Sequence, residues 1–105
     1  MIVLDVVAAL GGGVEGVSDL ALGGLAGERW SVVRLGPGGR WDAAADRDRA
    51  ALVLEGVATV FVDDARQSVA SGHLLLVAAG SPLGVLNDGA EAVSLLVRTA
   101  EMAAP

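Results

Sequence analysis

The sequence predicts an all-β protein, a sandwich or barrel built from short strands. Three observations point that way. The chain is cut into short Val- and Leu-rich segments, and turn-forming residues recur between them. Several segments are apolar at consecutive positions, as expected when both faces are covered by a second sheet or a subunit. The one later stretch with helical propensity is short and has no apolar face.

In chain order, residues 1–10 are apolar and read as an edge strand or one exchanged between subunits. Gly-rich turns fill much of residues 11–27. Within them, Gly11, Gly13 and Gly16 match the spacing of a dinucleotide-binding loop, which needs a following helix in a βαβ unit. The candidate helix over 17–26 is interrupted by Gly23-Gly24, so a flexible turn is the better reading. Residues 30–35 form the next predicted strand, closed by Gly36-Pro37-Gly38-Gly39. Residues 42–51 are either a short helix capped by Asp42 or a long connecting arm. Strands follow over 51–54 and 57–62, divided by Glu55-Gly56, and Asp63-Asp64 closes a hairpin arm. Further strands lie over 74–77, 83–86 and 92–98, punctuated by Ser71-Gly72, Gly80-Ser81-Pro82 and a tight-hairpin signal at Asp88-Gly89. Residues 101–105 read as a frayed tail.

Composition narrows the chemistry. With 105 residues, the whole of 1–105 reads as one domain. Hydrophobic residues make up 53% and charged residues 19%, too apolar a balance for a disordered segment. There is no cysteine, so disulfides, thiolate metal sites and thiol nucleophiles are excluded. A single histidine excludes a multi-histidine metal site within one chain. All seven basic residues are arginine, which removes Schiff-base chemistry and a phosphate-loop lysine. A net charge of -6 argues against nucleic acid as a partner. With no run long enough to span a membrane and no basic leader, a cytoplasmic location with no membrane association is expected.

Two spaced motifs carry a family resemblance. Gly72, Gly80 and Asn87 fall in register with the second motif of the cupin superfamily, with Ala78 in a proline slot and Leu83 in a histidine slot. Upstream, Pro37-Gly38-Gly39 and Leu54-Glu55-Gly56 resemble the opening and close of the first motif. The resemblance spans residues 28–99, leaving 1–27 as the N-terminal edge strand and turns. It implies a cupin-like double-stranded β-helix, a jelly-roll barrel, often dimeric and commonly holding a metal.

The metal ligands of the family are absent here. The resemblance puts Arg49 in the glutamate slot, Ala43 and Ala45 (or Ala44 and Asp46) in the paired histidine slots, and Leu83 in the last. A guanidinium there repels a cation and keeps its proton. No metal and no cofactor are therefore expected. The implied pocket is lined by Trp41, Ala43, Ala45, Arg49, Leu83, Val85 and Asn87, with Arg34 and Arg98 as further cations from apolar strands. Such a site suits a small, partly apolar organic molecule bearing an anionic or enolic group.

Each residue also has a plainer reading. Trp41 plugs a barrel end, Arg49 belongs to a solvated edge with Asp46, Arg47 and Asp48, Arg34 and Arg98 are exposed strand charges, and Asn87 makes turn hydrogen bonds. Catalytic candidates are Asp46, Arg49 and His73, the last at a strand start. Three functions follow. The first is a metal-free cupin binding a small organic ligand, accessory to a metabolic or natural-product pathway. The second is a metal-independent isomerase, cyclase or lyase using arginine for charge and Asp46 or Asp48 for proton transfer. The third is a structural homodimer with a filled barrel.

Overall fold

The computed structural model describes residues 17–23 and 28–100. Nine strands run through them in chain order: β1 (Val17–Gly23), β2 (Glu28–Leu35), β3 (Arg40–Ala43), β4 (Arg49–Glu55), β5 (Val57–Val62), β6 (Ala65–Ala70), β7 (Leu74–Val77), β8 (Leu83–Leu86) and β9 (Val93–Ala100). No helix occurs among the described residues. The strands form two antiparallel sheets, a five-stranded one in the order β1-β2-β9-β4-β7 and a four-stranded one in the order β3-β8-β5-β6. Nearly every consecutive pair after β2 switches sheet, which winds the chain into a jelly-roll barrel.

Alternation sets what faces inward. Val33 and Leu35 of β2, Val93, Leu95 and Val97 of β9, and Ala51 and Val53 of β4 meet Ala58 and Val60 of β5 and Leu83 and Val85 of β8 in one buried core. β-Branched side chains suit such a surface, because their restricted rotamers fit the pleat. Gly56 carries the chain from one sheet to the other at φ 80, and a Cβ there would collide with the Ala92 carbonyl oxygen. Only glycine fits both conditions.

The expected strands over 57–62, 74–77 and 83–86 coincide with β5, β7 and β8. Asp63-Asp64 is the two-residue turn joining β5 to β6, with Asp63 at φ 50. Three expectations change. Residues 42–51 are not a helix; the alternative of a connecting arm holds over 44–48, between β3 ending at Ala43 and β4 starting at Arg49. The charges at 46–49 alternate too closely to share a helical face, and strand pairing on both sides wins. Asp88-Gly89 closes no hairpin, since β8 and β9 lie in different sheets. Residues 17–23 are a strand at the outer edge of the five-stranded sheet, which removes the helix a dinucleotide loop would need. The expectations for residues 1–10 and 101–105 lie outside the described residues.

Candidate functional site

One end of the barrel is open. Its lining begins on the five-stranded sheet with a single rung of the ladder. Arg29 of β2 pairs with Thr99 of β9, and Thr99 pairs with Arg49 of β4. Residues directly opposite in a ladder share a face, with Cβ atoms about 5 Å apart. Two guanidiniums thus flank one hydroxyl on the inward side. Ser31, two residues along β2, adds a second hydroxyl below. Across the opening, β3 supplies Trp41 and Ala43, and the loop after it supplies Asp46 and Arg47. Together they enclose an open cavity of about 280 Å³.

The loop over 44–48 is fixed by its own polar atoms. The Ala45 carbonyl accepts a hydrogen bond from Gly80 N at 2.7 Å, and the Asp48 carbonyl accepts one from Ala100 N at 3.0 Å. Asp48 Oδ1 accepts another from Ala79 N at 2.7 Å. These contacts hold Asp46 and Arg47 over the mouth. The Arg49 side chain is only 13% exposed. Its Nη1 donates to the Ala44 carbonyl, and its Nη2 donates to Asp46 Oδ1 at 3.2 Å. Arg47 Nε is buried without a hydrogen-bond partner, its nearest carboxylate oxygen being Asp46 Oδ2 at 3.8 Å.

The electrostatic balance is unusual for this chain. Three of its seven arginines line the mouth, facing the carboxylates of Asp42 and Asp46, whereas the chain as a whole carries -6. Asp42 is held by Arg40, whose Nε donates to both carboxylate oxygens at 3.1 and 3.2 Å. What remains is a cluster of N–H and O–H donors with few acceptors. Such a cluster can grip a small anion.

The same donors do not fit a cation. Among the described residues no three His, Asp or Glu side chains gather closely enough to hold a metal. Asp46, the acid in one of the expected ligand slots, is engaged by Arg49, and Asp42 beside it is engaged by Arg40.

Of the residues expected to line a pocket, the structure brings Trp41, Ala43 and Arg49 together, with Asp46 beside them. The others lie elsewhere. Arg34 and Arg98 project from the outer face, because their parity is opposite to that of Val33 and Val97. Arg34 Nε lies 3.7 Å from Glu55 Oε1. Arg98 Nη2 donates to Glu28 Oε1 at 2.5 Å, and this bond holds the Glu28 carboxyl below its ordinary value. Ala45 is outside the cavity, its carbonyl tied to Gly80. Leu83 and Val85 are core, 1% and 0% exposed. Asn87 lies at the opposite end, where its Nδ2 donates to the carbonyls of Leu35 at 3.0 Å and Glu91 at 2.7 Å, and its Oδ1 accepts from Gly89 N at 3.1 Å. His73 is exposed, with its ring against the Ala70 carbonyl, also far from the mouth. Asp48, the alternative proton carrier, has its carboxylate committed to the Ala79 amide.

Five lining residues escape the motif-based reading: Arg29, Ser31, Asp42, Arg47 and Thr99. Parity was the available signal for three of them. Arg29 and Ser31 alternate with Val33 and Leu35, and Thr99 continues Val93, Leu95 and Val97.

Two antiparallel sheets wound into a barrel with one open end define a double-stranded β-helix. Solved structures place this more narrowly. TT1209 from Thermus thermophilus superposes with a TM-score of 0.86 at 25% identity, over 96% of this chain and 98% of that one. A cupin superfamily protein from Desulfitobacterium hafniense gives a TM-score of 0.78 at 22% identity, over 90% and 86%. A protein with a double-stranded β-helix domain from Klebsiella pneumoniae gives 0.83 at 14% identity, over 98% and 92%. No family model and no curated protein matches the sequence. The protein has the fold of the cupin superfamily.

Proposed function

We propose that this chain is a metal-free cupin that binds a small, partly apolar organic anion at the barrel mouth. The observation that carries the reading is the Arg29–Thr99–Arg49 rung, which sets two guanidiniums and a hydroxyl on one inward face opposite Trp41. Guanidiniums recognise planar or multi-oxygen anions through paired N–H donors. The indole and Ala43 offer an apolar surface for the rest of the ligand. Below the mouth the barrel is packed with Val, Leu and Ala, so the ligand sits at the opening. The reading favours binding over turnover. Asp46 is held by Arg49, and His73 and Asp48 are not in the cavity, so the mouth lacks a free proton carrier among the residues considered for that role.

Isothermal titration of the full chain with a panel of aliphatic and aromatic carboxylates tests this. Binding is expected, and Arg49→Ala should weaken it about 10- to 100-fold, the worth of a charged hydrogen bond. No heat from any carboxylate would refute the reading. The homodimer expected from the sequence would use the outer face of β4 and β7, where Leu74 and Leu76 are 60% and 77% exposed. Sedimentation of a monomer at working concentration would refute that part.

A further inference from the structure

Within the mouth, the Asp46 carboxylate stands where the carboxylate of a ligand would be gripped. Its Oδ1 is hydrogen-bonded to Arg49 at 3.2 Å, and its Oδ2 faces Arg47 Nε at 3.8 Å. One planar two-oxygen group thus lies against two guanidiniums. The fit is incomplete. A separation of 3.8 Å is beyond hydrogen-bond range, and Arg47 Nε is left buried and unsatisfied. An unmet buried donor costs free energy, so an acceptor that closes the gap is favoured. Asp46 closes it poorly, because it is the chain neighbour of Arg47 on a loop pinned through Ala45 and Asp48. A separate molecule has no such tether. The Asp46 side chain is 46% exposed and can turn to water with the loop in place. Arg29 adds a third guanidinium with no carboxylate partner among the described residues.

We infer that Asp46 is a resident carboxylate which the incoming ligand displaces, so that the mouth selects a monocarboxylate on a small apolar body and Asp46 sets its affinity. This inference rests on the reading of the mouth as an anion site, and it names the ligand class and the residue that controls entry. The planar carboxylate takes the place of the Asp46 oxygens between Arg47 and Arg49. The apolar body lies against Trp41 and Ala43. Asp46 is a competitor here, so removing its charge strengthens binding, whereas removing a proton carrier or a positive contact would weaken it or leave it unchanged.

The test uses the full chain carrying Trp30→Phe, which leaves Trp41 as the only indole. Fluorescence is followed during titration with cyclohexanecarboxylate, with its uncharged carboxamide, and with inorganic phosphate. Asp46→Asn should tighten cyclohexanecarboxylate binding about threefold to tenfold and leave the carboxamide unchanged, the scale of a partly exposed charge pair. Adding Arg49→Ala should abolish the gain. Asp46→Ser repeats the test with a shorter side chain. Equal or weaker carboxylate binding by both Asp46 variants overturns the displacement while leaving the anion site standing. A larger gain for phosphate than for the carboxylate overturns the ligand class. Silence from every protein toward both anions refutes the anion site itself, and the inference with it.

Discussion

At one end of the barrel Asn87 is wholly buried, and its side-chain amide makes hydrogen bonds with three backbone groups. At the other end Arg29 and Arg47 line an open cavity, one without a carboxylate partner among the described residues and one with a buried donor unmet. The same strands supply both ends: β2 runs from Arg29 at the mouth to Leu35 beside Asn87. At the Asn87 end the side-chain amide is satisfied by the fold itself and holds the connection from β8 to β9 in place. Polar groups at the mouth are only partly satisfied, and on the proposed reading this leaves them for a ligand. On that reading stability and recognition are separated along one set of strands.

That separation can be broken most strongly at Gly56. Gly56→Ala adds a Cβ that collides with the Ala92 carbonyl oxygen, in a left-handed backbone conformation. The strain and the clash together should cost about 3–4 kcal/mol, read as a lower urea midpoint. Asn87→Ala should follow at about 2–3 kcal/mol, since it leaves the buried carbonyl of Leu35 and the part-buried carbonyl of Glu91 without their donor. Arg49→Ala sharpens the contrast. Its ion pair with Asp46 is partly exposed, so stability should fall by only about 0.5–1 kcal/mol, while carboxylate binding weakens about 10- to 100-fold. If Arg49→Ala destabilised the chain as much as Asn87→Ala, the mouth would be a structural element and the contrast would fail.

The smallest effect concerns the outer face. The hydrogen bond from Arg98 lowers the Glu28 pKa from its ordinary 4.5. A depressed carboxyl contributes stability above its unfolded value and loses it as pH falls through the folded one. The small deficit in Tm expected for Glu28→Gln should therefore be present at pH 7, shrink as pH falls below the ordinary carboxyl value and vanish in stronger acid. Thermal melts across that range check it. A deficit that persisted in acid would show that packing, and not charge, gives Glu28 its role.

Much of this architecture was legible in the sequence, and the site only partly. β5, β7 and β8 announce themselves because short apolar runs are bounded by Asp63-Asp64, by Gly72 and by Gly80. The hairpin expected at Asp88-Gly89 was misleading because a turn signal is local, while β8 pairs with β3 and β5 and β9 with β2 and β4 in the other sheet. Ala43 and Arg49 could be placed at the mouth by motif spacing, and Trp41 by strand alternation with Ala43. Arg34 and Arg98 could not, since an arginine in an apolar strand reads the same whether it faces inward or outward until the partner strand fixes its parity. Arg29 and Thr99 become neighbours only through pairing between strands that lie at opposite ends of the described chain.

The central claim is that guanidiniums have replaced a cation cage in this barrel. Elemental analysis of the full chain, purified without chelators and after incubation with iron, manganese, nickel and zinc salts, addresses it most directly. The account predicts no stoichiometric metal after exchange into metal-free buffer. One equivalent of any of these metals, retained by the parent protein and lost on disruption of the mouth, would contradict it.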